Sequence, residues 1–374
     1  MTALTSAVTL TPLLGFPEVR RGDDLAGLVL KALQDNTIEL VDGDILVVSS
    51  KIASKAMGLS APLAERDDVV VAQTVRVVAE RMTPLGITSI VESVAGPVMA
   101  AAGVDASNTA DASIVLVLPG DPDAVAAEIR GGVTAGWESR SGRLLRLGVV
   151  LSDTAGRPWR IGQVDFALGA AGIQVVDDLR GSTDADGRLL WVTERCVADE
   201  IAAAADLVKG KTAGTPVAHI RGLGEYVHDV ESTSDAKTSG ARDLVRTGPG
   251  DWFSLGQAEA VRTALGVEPG SAEAAVVGIP SMNAETVAVK ASRALRVALL
   301  VCPGASGHVD GNTVRLVADD DFALGVAATR AEVALRGEGL ATTLTRAPTP
   351  MPTPTAAPAE NGLTPHPSVL IVFQ

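Results

Sequence analysis

The sequence predicts a mixed class of alternating helices and short strands, closed by a smaller C-terminal part. Three observations predict it. Short β-branched runs alternate with helical patterns through the first two thirds of the chain. A polar, Gly-rich stretch at 232–250, STSDAKTSGARDLVRTGPG, then breaks the pattern, and a shorter set of helices and strands follows it. With 374 residues the chain has room for two or three domains.

The elements are justified in chain order. Residues 6–11 and 45–50 (ILVVSS) read as strands. Between them, Leu25, Leu28 and Val29 recur at helical spacing after the acidic start Gly22-Asp23-Asp24, which predicts a helix over 24–34. A helix is expected over 69–81, strands over 87–92 and 113–118, and a helix over 122–131 opened by Asp121-Pro122. Val149, Val150 and Leu151 form a buried strand, and 173–176 and 189–193 read as two more. The pattern at 197–208 is the best helix: Val197, Ile201, Ala204 and Val208 share one face, with Asp199-Glu200 in the first turn. Residues 217–221 close this part as a strand. Beyond the boundary, 252–265, 284–295 and 322–336 read as helices, the last stopped by Gly337, and 297–301 and 314–317 as strands. The segment 346–367, RAPTPMPTPTAAPAENGLTPHP, reads as a stiff extended spacer. Residues 368–373 return to strand chemistry, so the end is expected to dock onto a sheet.

Composition narrows the partners. Aromatics are only 3%, so the core must be Val, Leu, Ile and Ala. A net charge of −14 argues against nucleic acid and anionic membrane surfaces, which need a basic face. It does not argue against a phosphorylated small molecule, because local cations override a global field. Two cysteines, Cys196 and Cys302, lie far apart without a Cys/His cluster, so a reducing compartment is expected. The first residues show no leader pattern, and no apolar run reaches the roughly 18 residues of a spanning helix. A soluble, cytoplasmic chain is the expectation.

Three short segments carry the chemistry. In GVVLSDTAGRPWRIG (148–162) a buried strand runs into Asp153-Thr154, then Arg157 and Arg160. Carboxylate and hydroxyl oxygens suit Mg²⁺ or Mn²⁺, and guanidinium forks suit phosphate. Ser50-Lys51-Ile52-Ala53-Ser54-Lys55 follows a strand directly, where phosphates bind in α/β folds. Gly103-Val104-Asp105-Ala106-Ser107-Asn108 places a carboxylate and a carboxamide three apart. Each alone also reads as a capped turn; together they favour nucleotide–metal chemistry. Gly210-Lys211-Thr212 is not a P-loop, because Ala205 stands where the earlier glycine belongs and a helix precedes it. Its glycine reads instead as a helix stop and its lysine as a charge at the helix end.

These residues resemble the gamma-glutamyl ligases that act on coenzyme F-420-0. The resemblance rests on Gly15-Phe16-Pro17-Glu18-Val19, Gly22-Asp23-Asp24-Leu25 and the run from Asp42 through Ser50-Lys51, Lys55 and Gly58. It continues through Ala102–Asn108, Ser152-Asp153-Thr154 with Gly156, Arg157 and Arg160, and Val197–Leu207. In order and spacing it runs from about residue 8 to 225, and Ala241-Arg242-Asp243-Leu244 resembles the junction in an actinobacterial form fused to a nitroreductase-like flavin domain. The resemblance implies an α+β fold: a two-lobed ligase domain with short mixed sheets at 1–245, and a smaller α/β C-terminal domain. That second domain would be a reduced nitroreductase-like or accessory domain at 246–345, followed by the linker at 346–367 and the strand at 368–374.

It implies GTP-dependent amide formation by a homodimer, with L-glutamate and the deazaflavin precursor as the other substrates. Phe16, Pro17, Glu18, Val19, Ser50, Lys51, Lys55 and Asn108 would contact GTP. The loop Lys209, Gly210, Lys211, Thr212, Ala213, Gly214 and Thr215 would lie along the phosphates. Asp105 and Asp153 would hold one Mg²⁺ or Mn²⁺ and Thr154 a second, with Lys55 and Arg157 as catalytic cations. Where the archaeal form places a glutamate ligand in the last loop, the nearest residue here is Lys211, which bears on the second metal. No tightly bound flavin is expected, since residues 251–374 lack a convincing phosphate turn. The competing reading is a metal-dependent nucleotide-binding protein without turnover, acting as a regulatory or accessory protein.

Overall fold

A computed structural model describes residues 7–84, 86–109, 111–228, 240–248, 251–346 and 367–374. The chain forms two compact units, 1–76 with 91–251, and 77–90 with 252–374. Up to residue 228 the order is β1 (Thr9–Pro12), α1 (Leu25–Asp35), β2 (Asp44–Ser49), α2 (Ser50–Met57), β3 (Ser60–Pro62), α3 (Arg66–Ala72), β4 (Thr74–Thr83), β5 (Gly86–Ser93), β6 (Val98–Ala100) and β7 (Ile114–Leu116). It continues with α4 (Pro122–Ser141), β8 (Leu147–Arg157), β9 (Arg160–Ala171), β10 (Val176–Asp178), β11 (Glu194–Cys196), α5 (Val197–Lys209) and β12 (Val217–Arg221). The fold is α+β, as the resemblance implied.

The first unit is built on a five-stranded sheet in the order β1-β12-β2-β8-β9. Only β2 and β8 run parallel. Alternation along β2 makes the strand apolar on both faces. Ile45 and Val47, with Val150, Ala218 and Ile220, enter the core under α5. Leu46 and Val48, with Val149 and Leu151, enter the core shared with α1 and α4. A strand covered on both faces reads as a continuous apolar run, which is why ILVV is so plain in the sequence.

Several expected elements shift, each for a local reason. The helix expected over 69–81 ends at Ala72, and β4 takes over at Thr74, where the β-branched pairs of TVRVV favour a strand. Helix α4 runs on to Ser141, capped by Asp121, whose Oδ1 accepts from the Ala124 N–H at 3.1 Å. The glycines that suggested an early stop serve packing. A Cβ on Gly132 would stand 2.5 Å from the Ala26 Cβ, and one on Gly136 2.4 Å from the Leu30 Cδ1, so α1 and α4 close against each other only because both are glycine. The strands expected at 173–176 and 189–193 form instead at Val176–Asp178 and Glu194–Cys196, paired with each other. Strand β8 does not turn after Leu151 but continues to Arg157 and pairs with β9, which the sequence did not announce.

Asp44, 0% exposed, is the charged residue buried at the start of β2. Its carboxylate accepts from the Arg221 guanidinium twice at 2.8 Å and from the Val41 N–H at 2.9 Å, and His219 Nε2 lies 2.9 Å away. Burial alone would raise its pKa, but Arg221, His219 and Val41 together lower it to about 2. A folded-state value below the unfolded 3.8 means the native state is stabilised at neutral pH and loses that contribution as pH falls from about 4 through 2. The difference corresponds to about 2 kcal/mol. Asp44→Asn is therefore expected to lower the urea midpoint at pH 7, with the gap to wild type narrowing at about pH 3; a gap independent of pH would show that the Asp44 charge carries no stability.

The second unit comprises α6 (Gln257–Ala264), α7 (Ala272–Val277), α8 (Val287–Leu299), β13 (Ala305–Asp310), β14 (Thr313–Ala318), α9 (Asp321–Gly337), β15 (Thr342–Arg346) and β16 (Ser368–Phe373), with the segment 77–90. The strand expected at 297–301 is the end of α8, whose Val297 and Ala298 are buried in the unit's own core. The C-terminal strand does dock onto a sheet, as an inner strand in the order β13-β14-β16-β15. The spacer expected at 346–367 lies, for 347–366, outside the described residues. A buried ion network ties the helices: Arg293 donates to Glu285 at 2.7 and 2.6 Å and to Glu338 at 2.9 and 2.6 Å, and Arg262 donates to Glu338 at 3.0 Å.

Candidate functional site

The parallel pairing of β2 with β8 sets Ser49 opposite Ser152, so the first turn of α2 lies beside Asp153. Here a cleft of about 420 Å³ opens in the first unit. Of the residues expected at a nucleotide site, Phe16, Pro17, Glu18, Val19, Lys51, Lys55, Asn108, Asp153, Thr154, Lys209, Gly210, Lys211, Gly214 and Thr215 line it. Thr212 and Ala213 are exposed in the same loop and do not line the cleft, nor does Arg157, exposed at the end of β8. Ser50 lies buried below, where its hydroxyl donates to Asp153 Oδ1 at 3.1 Å. Ser49, Ile52, Thr109, Asp165, Asp206 and Pro216 line the cleft without having been anticipated.

Asp105 reaches the site through Lys51. A backbone bridge to Leu116 at the end of β7 fixes its position, and Lys51 Nζ lies 2.6 Å from its Oδ2. The same ammonium donates to the Ser107 hydroxyl, which in turn donates to Asp105 at 2.9 Å. Burial pushes the Asp105 carboxyl upward, but Lys51 and Ser107 hold it below the usual carboxylate range. Asp153 shows the opposite balance. Burial in mid-strand pushes it up to about 6, against the Thr154 N–H, Ser50 and the Lys51 charge. A buried carboxyl with so little compensation is best ionised by a cation placed beside it. Lys55 lies 2.5 Å from Glu18 on the opposite wall.

A second network forms the floor. Asp165 on β9 accepts from the Thr154 hydroxyl at 2.6 Å through Oδ1, and from Ser152 at 2.9 Å and Lys209 Nζ at 2.7 Å through Oδ2. Burial opposes ionisation of Asp165, and Lys209 outweighs it, so its pKa is lowered. Lys211 Nζ donates to the Thr154 hydroxyl oxygen at 3.0 Å. Asp206 sits one turn before the end of α5, its pKa raised by burial and by Asp165. The arrangement offers several lysines to a polyphosphate and hard oxygen donors to a divalent ion. Among the described residues no three His, Cys, Asp or Glu side chains come together as a metal cage. Mg²⁺ asks for less, one or two carboxylates with water and substrate phosphates completing its shell; Asp153, lining the cleft, is a carboxylate of that kind, whereas the Asp105 oxygens already accept from Lys51 and Ser107.

Residues 14–222 match the family of F420-0:gamma-glutamyl ligases. The chain belongs to that family. Every cleft-lining residue falls inside the F420-0:gamma-glutamyl ligase match. The chain is 37% identical over 259 residues to the coenzyme F420:L-glutamate ligase of Halobacterium salinarum, covering 64% of this chain and 92% of that protein. It is 35% identical over 259 residues to the enzyme of the same name from Halorubrum lacusprofundi, covering 64% and 96%. With the Haloarcula marismortui protein of that name it shares 35% over 268 residues, covering 64% and 95%. Residues 252–374 lie beyond the end of the ligase-family match. No helix of the described residues is long and apolar enough to cross a membrane.

Asp165 was missed because nothing local marks it. It sits in RIGQVDFALGAA, a strand without clean alternation. The resemblance places Lys209 at the start of the loop along the phosphates; its side chain is buried. The buried stripe of α5 is Val197, Ala198, Ile201, Ala202, Ala205 and Lys209, turned from the expected face of Val197, Ile201, Ala204 and Val208. That rotation carries the Lys209 ammonium inward to Asp165.

Proposed function

We propose that this chain is a GTP- and divalent-metal-dependent ligase that joins L-glutamate to the deazaflavin precursor coenzyme F420-0, with the chemistry carried by the cleft of the first unit. The observation that carries the proposal is that cleft: lysines from α2 and from the loop after α5 converge on Asp153 and Thr154 inside the family match. The γ-phosphate of GTP would pass to the precursor's carboxylate, giving an acyl phosphate and GDP. The α-amine of glutamate would then form the C–N bond as the C–O bond to phosphate breaks, releasing phosphate and a proton. Two anions must meet for the first step, so charge neutralisation and alignment are the main demands on the protein. Lys51, Lys55 and Lys211 supply positive charge along the phosphates, and Phe16, Pro17, Val19 and Asn108 border the nucleotide. Asp105 and Asp153 would hold a divalent ion, which would supply Lewis-acid neutralisation of phosphate oxygens. The reading includes a cytoplasmic homodimer and no tightly bound flavin in residues 251–374.

Purified protein given GTP, Mn²⁺ or Mg²⁺, the precursor and L-glutamate is expected to release GDP and to raise the precursor's mass by glutamyl units. GDP release independent of the precursor, without that mass increase, would overturn the ligase reading and favour a nucleotide-binding protein without turnover.

A further inference from the structure

We infer that the Lys211 ammonium occupies the place of a second divalent ion, so that the cleft operates with one metal ion. The inference rests on the nucleotide reading above and concerns how many ions the same site takes. Thr154 is the residue that the family resemblance offers to a second ion, and its hydroxyl is already engaged from both sides. Its hydrogen goes to Asp165 Oδ1 at 2.6 Å, and its oxygen accepts from Lys211 Nζ at 3.0 Å. The other Asp165 oxygen accepts from Lys209 at 2.7 Å and Ser152 at 2.9 Å, with the side chains of Lys209 and Asp165 only 4% and 5% exposed. The acceptors a second ion would need are therefore answered by two ammonium groups.

Charge balance leads to the same conclusion. Around Thr154 stand the carboxylates Asp165 and Asp206 and the ammonium groups Lys209 and Lys211, which sum to zero. A further divalent ion there would have only the nucleotide phosphates to offset its charge, whereas Asp153 offers one a carboxylate as well. The backbone explains how Lys211 arrives. Gly210 ends α5 at a positive φ of 63°, turning the chain back over the floor, and Asn108 Nδ2 donates to the Lys211 carbonyl at 3.4 Å. A protonated lysine has no lone pair for a metal but three hydrogens for phosphate oxygens, so it supplies the charge of the missing ion to a nucleotide directly.

The test counts ions. The full-length chain is saturated with a non-hydrolysable GTP analogue and titrated with Mn²⁺, with free Mn²⁺ read by electron paramagnetic resonance and analogue binding by calorimetry on the same sample. Wild type is expected to bind one Mn²⁺ per chain. Lys211→Glu, at an exposed position where folding is not at stake, is expected to bind two. Lys211→Gln is expected to keep one while binding the analogue on the order of tenfold to a hundredfold more weakly, the loss of a charge-assisted contact. Two Mn²⁺ per wild-type chain, or one in Lys211→Glu, would overturn the inference while leaving the nucleotide reading intact. Failure of the analogue to bind wild type at all would overturn both.

Discussion

Asp153→Asn is expected to lower ligation on the order of a thousandfold or more while leaving the melting temperature of the ligand-free protein unchanged or higher. Removing one group that neutralises charge in the transition state costs on the order of hundreds- to thousandfold, and Asn at 153 would take away a carboxylate proposed to hold the divalent ion in the cleft. The stability half follows from its surroundings. Asn keeps the shape and the oxygen that accepts from Ser50, and it removes a charge that burial disfavours. Functional sites commonly hold groups that cost the fold something, and this is one of them. Turnover by product mass and thermal unfolding on the same preparation check the two halves. Surviving activity would show that Asp153 only shapes the strand, and a melting temperature lower by many degrees would show that its charge serves the fold.

Lys209→Met is expected to cost about 3–5 kcal/mol, the penalty of leaving the Asp165 carboxylate buried without its partner. That corresponds to a fall of about 10 °C in melting temperature for a unit of this size. Adding Asp165→Asn to Lys209→Met should restore more than half of the loss, because a neutral amide still accepts from Ser152 or Thr154 and no bare charge remains. The cycle is read by urea unfolding of the four proteins. A Lys209→Met cost near zero, or a double variant worse than the sum of the two single ones, would show that the pair does not hold the floor of the cleft.

What was legible in the sequence follows the local signals. β2, β12 and β16 show as strands because their apolar runs are short, β-branched and bounded by polar residues. The first helix shows because a single buried face at helical spacing follows an acidic start. The helix-to-strand switch at 72–74 was not legible, because TVRVV carries apolar residues that satisfy either period over so short a span. The extension of α4 was hidden by glycines whose purpose, contact with Ala26 and Leu30, lies in another helix.

The candidate site divides along the same line. By itself the sequence determined the chemical types and their order: lysines directly after a strand, a carboxylate and hydroxyl in GVVLSDT, and a carboxylate–carboxamide pair in GVDASN. Only the tertiary structure decided which of them meet. It set Lys51 against Asp105, turned α5 so that Lys209 is buried while Val208 is only half-buried against the core, and supplied Asp165 from a strand with no readable pattern. Arg157, equally suggestive in sequence, ended exposed beyond the cleft. The physical reason is that hydrophobic periodicity reports which face of an element leaves water, a property of neighbouring residues. The pairing of buried charges depends instead on where separate elements come to rest against each other, and Lys209 and Asp165 lie 44 residues apart.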